Sequence, residues 1–329
     1  MNQAAMSKKP ILLLFALTIV LMMVLPAGLI RLMSHGQPTK TVPSIHANEP
    51  SINVYLKETK QIVKMPLEEY VKGVVAAEMP VTFPLEALKA QAIAARTNAV
   101  KKIESHTLTP EGANVTDDYR QIQAYSTDEQ LKQRWGMLSY EVNMSKIMQA
   151  VNETRGKILT YQQQPIEALF FSTSNGKTEN AQDYFGRALP YLRTVDSPWD
   201  KQAKHATDTK TIPLKDMSKL LGINAVAASA GNGQWLQVLE TSQTNRIKKI
   251  KVANQVMTGP DFREKLGLYS TDFSWKIDGD SIIFTTHGYG HGVGLSQYGA
   301  EGMAKEGKRA EDILAYYYQG TSIANYQSK

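Results

Sequence analysis

Five glycines fall within residues 287–299, which read His-Gly-Tyr-Gly-His-Gly-Val-Gly-Leu-Ser-Gln-Tyr-Gly. Glycine tolerates positive φ and close backbone approach, but it loses more conformational freedom on folding than any other residue. A segment built this way cannot be an ordinary strand or helix throughout. It must turn tightly, or let another backbone or a ligand come close. Two histidines, a Ser-Gln pair and two tyrosines share the segment, and so many hydrogen-bonding side chains on one loop suggest a site. The plain alternative is a glycine-rich turn leading from a strand into a helix.

Residues 11–30 form an apolar run without a charge, long enough for a helix across a bilayer core of about 30 Å. Lys8 and Lys9 before it place the N-terminus in the cytoplasm by the positive-inside tendency, weakened by Arg31 and Lys40 after it. A cleaved signal peptide is the rival reading. The run is long for one, and no small-x-small cleavage site follows directly, so an uncleaved anchor is preferred. Residues 31–50 are polar and proline-containing, as a tether would be. The chain has 329 residues, no cysteine and a net charge of +6. An exported domain without cysteine draws its stability from core burial, and its basic balance suits an anionic membrane or wall polymer. A nucleic-acid partner does not fit a domain outside the membrane.

Along the exported part, short alternating runs flank Glu58-Thr59-Lys60 as a hairpin. Pro66 opens a helix that should end near Glu78, because Pro80 disfavours helical conformation at Met79. Pro84 opens a second, alanine-rich helix to about residue 104. Residues 106–137 read as a polar excursion, and 140–153 as a helix. Strands are expected at 157–161 and 166–172, then at 235–241 and 246–252. A helix should span 214–221, and Asp278-Gly279-Asp280 should turn a hairpin. Residues 294–306 and 310–318 should be helical. The cationic run Arg246, Lys248, Lys249, Lys251 reads as a solvated strand face. The fold class is therefore α+β, mixed helices and antiparallel sheet in a main domain with a smaller inserted lobe, preceded by one transmembrane helix. The boundaries are 1–10 for a cytoplasmic tail, 11–30 for the anchor and 31–50 for the linker. Residues 51–204 with 283–329 form the main domain, and 205–282 the inserted lobe.

Glu78 stands in Val-Val-Ala-Ala-Glu-Met-Pro, among small and apolar residues at a helix end. Desolvation raises a carboxyl pKa, and helix-terminal carbonyls push the same way. A carboxyl kept protonated can donate to a leaving oxygen. The alternative is a helix-ending glutamate in water or paired with a lysine. Lys89, Gln91, Arg96 and Asn98 sit on the alanine-rich helix. Arg96 has two readings, an ion pair with Glu68 or Glu69 or a place in a polymer-binding groove. His287 and His291 are four apart, but the glycines between them argue against a helical metal site, and a third ligand is hard to nominate. Gly294-Leu295-Ser296-Gln297-Tyr298 lacks the second glycine of a serine-hydrolase elbow.

Three segments together resemble the stage II sporulation protein D family of peptidoglycan lytic transglycosylases. They are residues 69–80 (EYVKGVVAAEMP) followed by 89–97 (KAQAIAART), then 172–178 (STSNGKT), then 290–300 (GHGVGLSQYGA). Members that act as amidase enhancers share much of this pattern. The resemblance implies cleavage of the MurNAc–GlcNAc β-1,4 bond in peptide-stripped glycan strands, with Glu78 as catalytic acid and then base. It implies a groove lined by Lys89, Gln91, Arg96, Ser174, Asn175, His291, Ser296 and Gln297. The implied partners are a peptidoglycan amidase and a multi-span membrane scaffold protein. The implied place is the mother-cell septal membrane, with the catalytic domain outside the cytoplasm. No cofactor is implied. Some members bind zinc through cysteines and histidines, and this chain has no cysteines, so no metal is carried over.

Overall fold

Local sequence signals set the first half of the structure, a computed structural model that describes residues 49–118, 120–223 and 235–327. The expected tail and anchor, and the linker up to residue 48, lie outside the described residues. Among the described residues no helix is long and apolar enough to cross a membrane.

Strands β1 (Ser51–Leu56) and β2 (Gln61–Pro66) form the expected hairpin, Ser51 facing Pro66 and Leu56 facing Gln61. Helix α1 (Leu67–Glu78) follows Pro66, and Met79 before Pro80 is extended at φ −114° and ψ 140°. Helix α2 (Leu85–Ser105) follows Pro84. Its alanines let neighbouring elements approach closely, and 13 of its 21 residues are buried, the polar Gln91, Arg96, Thr97 and Asn98 among them. It packs against α1 and against elements from the middle and the end of the chain.

The segment read as a polar excursion carries structure. Strand β3 (Val115–Thr116) runs parallel to β1, and α3 (Asp128–Trp135) starts from a Thr127–Gln130 capping box. Helix α4 (Met137–Glu153) begins at Met137 rather than 140. Strand β4 (Lys157–Tyr161) pairs with β5 (Gln164–Pro165), and the strand expected at 166–172 reduces to β6 (Phe170–Phe171). That segment is not in a wide sheet. Its neighbour is the glycine segment, which can pair only briefly between turns.

Helix α5 (Ala181–Phe185) and a 3-10 turn (Pro198–Gln202) lead to β7 (Thr207–Pro213) and α6 (Leu214–Leu221). Strands β8 (Leu236–Thr241), β9 (Ile247–Val252) and β10 (Gln255–Thr258) make an antiparallel sheet, followed by α7 (Gly259–Leu266). Strands β11 (Phe273–Asp278) and β12 (Ser281–His287) turn at Gly279, and β12 also pairs antiparallel with β7. Strand β13 (Leu295–Ser296) lies parallel to β6. Helices α8 (Gln297–Lys305) and α9 (Ala310–Tyr317) follow, and β14 (Ser322–Asn325) closes on β4. The fold is mixed α and β with mainly antiparallel sheets, as expected.

Two apolar clusters form. The larger gathers Val71, Val74, Leu88, Ile93, Ile147, Leu295 and Leu314 around α2. The second holds Ile212, Met217, Ile250, Phe262, Phe273, Ile282 and Phe284. Strand β12 belongs to the second cluster, and the glycine segment that follows it delivers Leu295 to the first. The site lies at that passage.

Candidate active site

From His287 the chain wraps around residues 169–179. Thr173 and Tyr289 exchange backbone hydrogen bonds at 3.0 and 2.7 Å, the Glu179 N–H donates to Gly292 O at 2.7 Å, and the Leu295 N–H donates to Leu169 O at 3.0 Å. Gly294 has φ +83°, and a Cβ there would stand 2.0 Å from Leu169 O. Positive φ costs a residue with a Cβ about 1–2 kcal/mol, and the backbone contact adds to it. Gly294→Ala should therefore lower stability by about 2 kcal/mol or more, read as a shift of the urea midpoint.

The wrap ends at Ser296, whose Oγ accepts from the Gly299 N–H at 3.2 Å and so caps α8. The first residue of α8 is Gln297. Its Nε2 donates to Glu78 Oε2 at 3.2 Å, and the Ala124 N–H donates to Glu78 Oε1 at 2.6 Å. Burial raises the Glu78 pKa above the ordinary glutamate value, and the two donors offset part of that shift. The sequence reading of a desolvated acid at a helix end holds, and Glu78 and Gln297 meet although 219 residues separate them. No ion pair to Glu78 occurs among the described residues.

The other nominated residues sit elsewhere in the architecture. Arg96 is fully buried. Its Nε and Nη2 donate to the two Glu68 oxygens at 2.9 and 2.6 Å, and its Nη1 donates to Lys157 O at 3.2 Å. The ion-pair reading is the one observed, and a guanidinium without exposed surface lines no groove. Gln91 is also fully buried, and its amide has no hydrogen-bond partner among the described residues. Lys89 is held between Glu86 at 2.7 Å and Glu153 at 2.5 Å. Asn175 donates to Thr244 O at 2.8 Å and to Asp272 Oδ2 at 2.7 Å, which ties its loop to residues of the 205–282 segment.

His291 packs among Phe171, Tyr184 and Phe185. Its Nδ1 accepts from the Val293 N–H at 3.0 Å, so it carries no proton there. Burial, then Arg263, pulls its pKa down to about 3, and a bond to the Phe170 backbone offsets part of this. A neutral, enclosed imidazole shapes the loop. His287 instead faces Thr207, 3.4 Å away. Among the described residues no three metal-ligating side chains cluster. Arg246, placed by sequence on a solvated face, is buried. It lies where a Cβ on Gly292 would fall, 2.6 Å from its Nε, so the loop backbone packs on the guanidinium.

Ser174 and Ser296 share a partner that sequence reasoning missed. Asp200 is fully buried and accepts from the Ser174 N–H at 3.0 Å, Ser174 Oγ at 2.8 Å, Ser296 Oγ at 2.6 Å and Ser197 Oγ. Burial raises its pKa, and these donors oppose the shift. Asp200 pins the cap of α8, and α8 begins with the glutamine that contacts Glu78. Each buried donor left unmade costs about 1–3 kcal/mol. Asp200→Ala should cost about 3 kcal/mol overall, measured by urea unfolding, because the freed hydroxyls can turn to other acceptors. The Ala124 amide was equally hidden from sequence, since a backbone N–H has no side-chain signature.

The site is thus a mixed α+β scaffold that holds the Glu78 carboxyl between two uncharged donors, one of them the glutamine that follows the glycine-rich wrap. Residues 55–161 match the family model described as "Stage II sporulation protein". The chain is 48% identical over 288 residues to "Stage II sporulation protein D" of Bacillus subtilis (strain 168), covering 87% of this chain and 82% of that protein. It is 44% identical over 287 residues to the protein of that name from Bacillus amyloliquefaciens, again 87% and 82% of the two chains. It is 29% identical over 305 residues to "Amidase enhancer" of Bacillus subtilis (strain 168), covering 78% of this chain and 40% of that one. The chain belongs to the stage II sporulation protein D family.

Proposed function

We propose that this chain is a membrane-anchored peptidoglycan lytic transglycosylase that thins the septal wall during engulfment in sporulation. The observation that carries the reading is the state of Glu78, a carboxyl whose pKa is raised by burial and whose two partners are an amide N–H and a glutamine. Such a group can protonate the glycosidic oxygen between MurNAc and GlcNAc. As carboxylate it then accepts the proton of the MurNAc C6 hydroxyl, which attacks C1 and leaves a 1,6-anhydro end. Ordinary glycosidases need a second carboxylate as nucleophile or as base for water. Here the intramolecular hydroxyl takes that role, with the advantage of proximity. Asp200 and Glu179, buried acids around the same loop, are each enclosed by hydroxyl donors and are no substitute.

The anchor is residues 11–30, with residues 49–329 outside the cytoplasm on the mother-cell septal membrane. The substrate is glycan stripped of stem peptides by a partner amidase, and a multi-span membrane protein holds both at the septum. The relative named "Amidase enhancer" supports a second reading, a wall-binding protein that stimulates an amidase without cleaving glycan itself. Mass spectrometry of peptide-stripped strands incubated with the protein separates them. The expected products end in 1,6-anhydro-MurNAc. Reducing MurNAc ends would make water the acceptor, and uncleaved strands with raised amidase activity would favour the enhancer.

A further inference from the structure

Residues 122–126 have no regular secondary structure, yet Gln123 is 1% exposed and Ser126 5%. Irregular chain normally runs over a surface, because each buried backbone polar group needs a partner. Here the segment lies along α1. The Ser126 N–H donates to Gly73 O at 3.3 Å, the Tyr125 ring stacks on Tyr70 with centroids 5.5 Å apart, and the Ala124 N–H donates to Glu78 Oε1 at 2.6 Å. The Gln123 side chain turns into the core. Its Nε2 donates to Tyr70 Oη at 3.1 Å and to Ala95 O at 3.4 Å, and its Oε1 accepts from Asn98 Nδ2 at 3.4 Å.

Asn98 extends this network to the other side of the site. Its Nδ2 also donates to Ala168 O at 3.0 Å, and its Oδ1 accepts from the Ala168 N–H at 2.9 Å. The next residue, Leu169, accepts through its carbonyl from the N–H of Leu295, which stands two positions before Gln297. Both donors to Glu78 thus hang on one buried run of amides, from Ala124 through Gln123 and Asn98 to the segment that carries Gln297. A buried polar network with its bonds made is rigid, and Gln123 stands at the centre of this one. The two donors differ in kind. A backbone N–H can only donate, so Oε1 accepts in both protonation states of Glu78. The Gln297 amide can turn over, so Oε2 is the oxygen that takes and gives the proton.

We propose that Gln123 is a positioning residue for Glu78: it clamps the Ala124 N–H onto Oε1 and so confines the transferable proton to Oε2. Its part in catalysis rests on the reading of Glu78 as the acid. The Ala124 N–H favours the carboxylate, so loosening the clamp should raise the Glu78 pKa beyond what burial already does. The ionisable groups around the segment leave that titration clear. Burial raises the pKa of Tyr70, of Tyr125 to about 12, and of Tyr298 beside Gln297. Arg134 donates to Ser126 Oγ at 3.2 Å and to Ala76 O at 3.5 Å.

In the full-length protein labelled with carbon-13 at the glutamate carboxyls, the NMR resonance lost in Glu78→Gln is that of Glu78. Its titration reports the pKa without any substrate. Gln123→Met keeps the side-chain length and removes both polar atoms. It should move the Glu78 midpoint up by about one pH unit, the loss of one hydrogen bond to a charged group. The alkaline limb of glycan cleavage should shift with it, and kcat should fall while KM holds. Tyr70→Phe removes one acceptor of Gln123, keeps the ring stack, and should give a smaller shift of the same sign. Ile147→Val, fully buried but outside the network, should lose stability and leave the midpoint in place. An unmoved midpoint in folded Gln123→Met, or in Tyr70→Phe if the first variant does not fold, would overturn the proposal. So would an equal shift in Ile147→Val, which would make the effect a general one of a loosened core. A native chain that cleaves no glycan, with a midpoint that still follows Gln123, sinks the acid reading and not the clamp. Cleavage with an unmoved midpoint sinks the clamp alone.

Discussion

Glu78→Gln should remove glycan cleavage by a factor of about 10²–10⁴, the range for loss of a general acid-base group, while the protein stays folded. Glutamine keeps an acceptor for the Ala124 N–H, and Gln297 can turn its amide over to accept instead of donate. Neither change leaves an empty volume. The stability outcome has a definite sign. A carboxyl whose folded pKa is raised binds its proton more tightly in the native state, so stability falls as pH rises from the unfolded value through the folded one. Above that window the wild-type carboxylate is a burden that glutamine lacks. Urea unfolding at neutral pH should therefore show the variant at least as stable as the native chain. The pH profile supplies a second check. The native rate should decline on the alkaline side through a pKa above the ordinary glutamate value, as the acid loses its proton. A variant that loses stability together with activity would make Glu78 a structural residue.

How much of this was legible in the sequence depends on whether the signal was local. Proline placed the starts of α1 and α2 and ended α1 at Glu78, because a ring that fixes φ and crowds its predecessor acts within one or two residues. The apolar setting of Glu78 was visible for the same reason. The Thr127–Gln130 capping box was also present in the letters, yet its polar surroundings made α3 read as excursion. The strand at 166–172 misled in the opposite way. Its composition suited a strand, but its partner was a glycine segment more than a hundred residues away, which pairs at only two positions. The nominated polar residues divided similarly. Sequence could mark Ser174 and Ser296 as notable but not that both bind Asp200, since Asp200 carries no motif and acquires its role only when three distant loops converge. Arg96 could be assigned a face of its helix, whereas whether that face met substrate or Glu68 was a tertiary question.

For Arg96 the structure answers it, and the answer has a large consequence. The guanidinium forms a two-point pair with Glu68, which also accepts from the Gly156 N–H at 3.2 Å, and it donates to the carbonyls of Ala92, Val151 and Lys157. One side chain therefore joins α1, α2, the end of α4 and the start of β4. Removing one member of a buried pair strands the other charge at a cost of about 3–5 kcal/mol, a large share of the 5–15 kcal/mol that holds a typical domain folded. Arg96→Ala should lose about that much in urea unfolding, with a cavity adding to it. Arg96→Lys should recover only part, because an ammonium cannot span both Glu68 oxygens while reaching the carbonyls. Arg96→Met combined with Glu68→Leu should be much less damaging than the sum of the single changes, since no charge is then left unpaired. The decisive measurement is cleavage per folded molecule. If Arg96 is an architectural residue, that quantity changes little in the double variant. A drop as large as the one expected for Glu78→Gln would return Arg96 to the substrate groove, in a form of the protein whose α1–α2 contact differs from the one described.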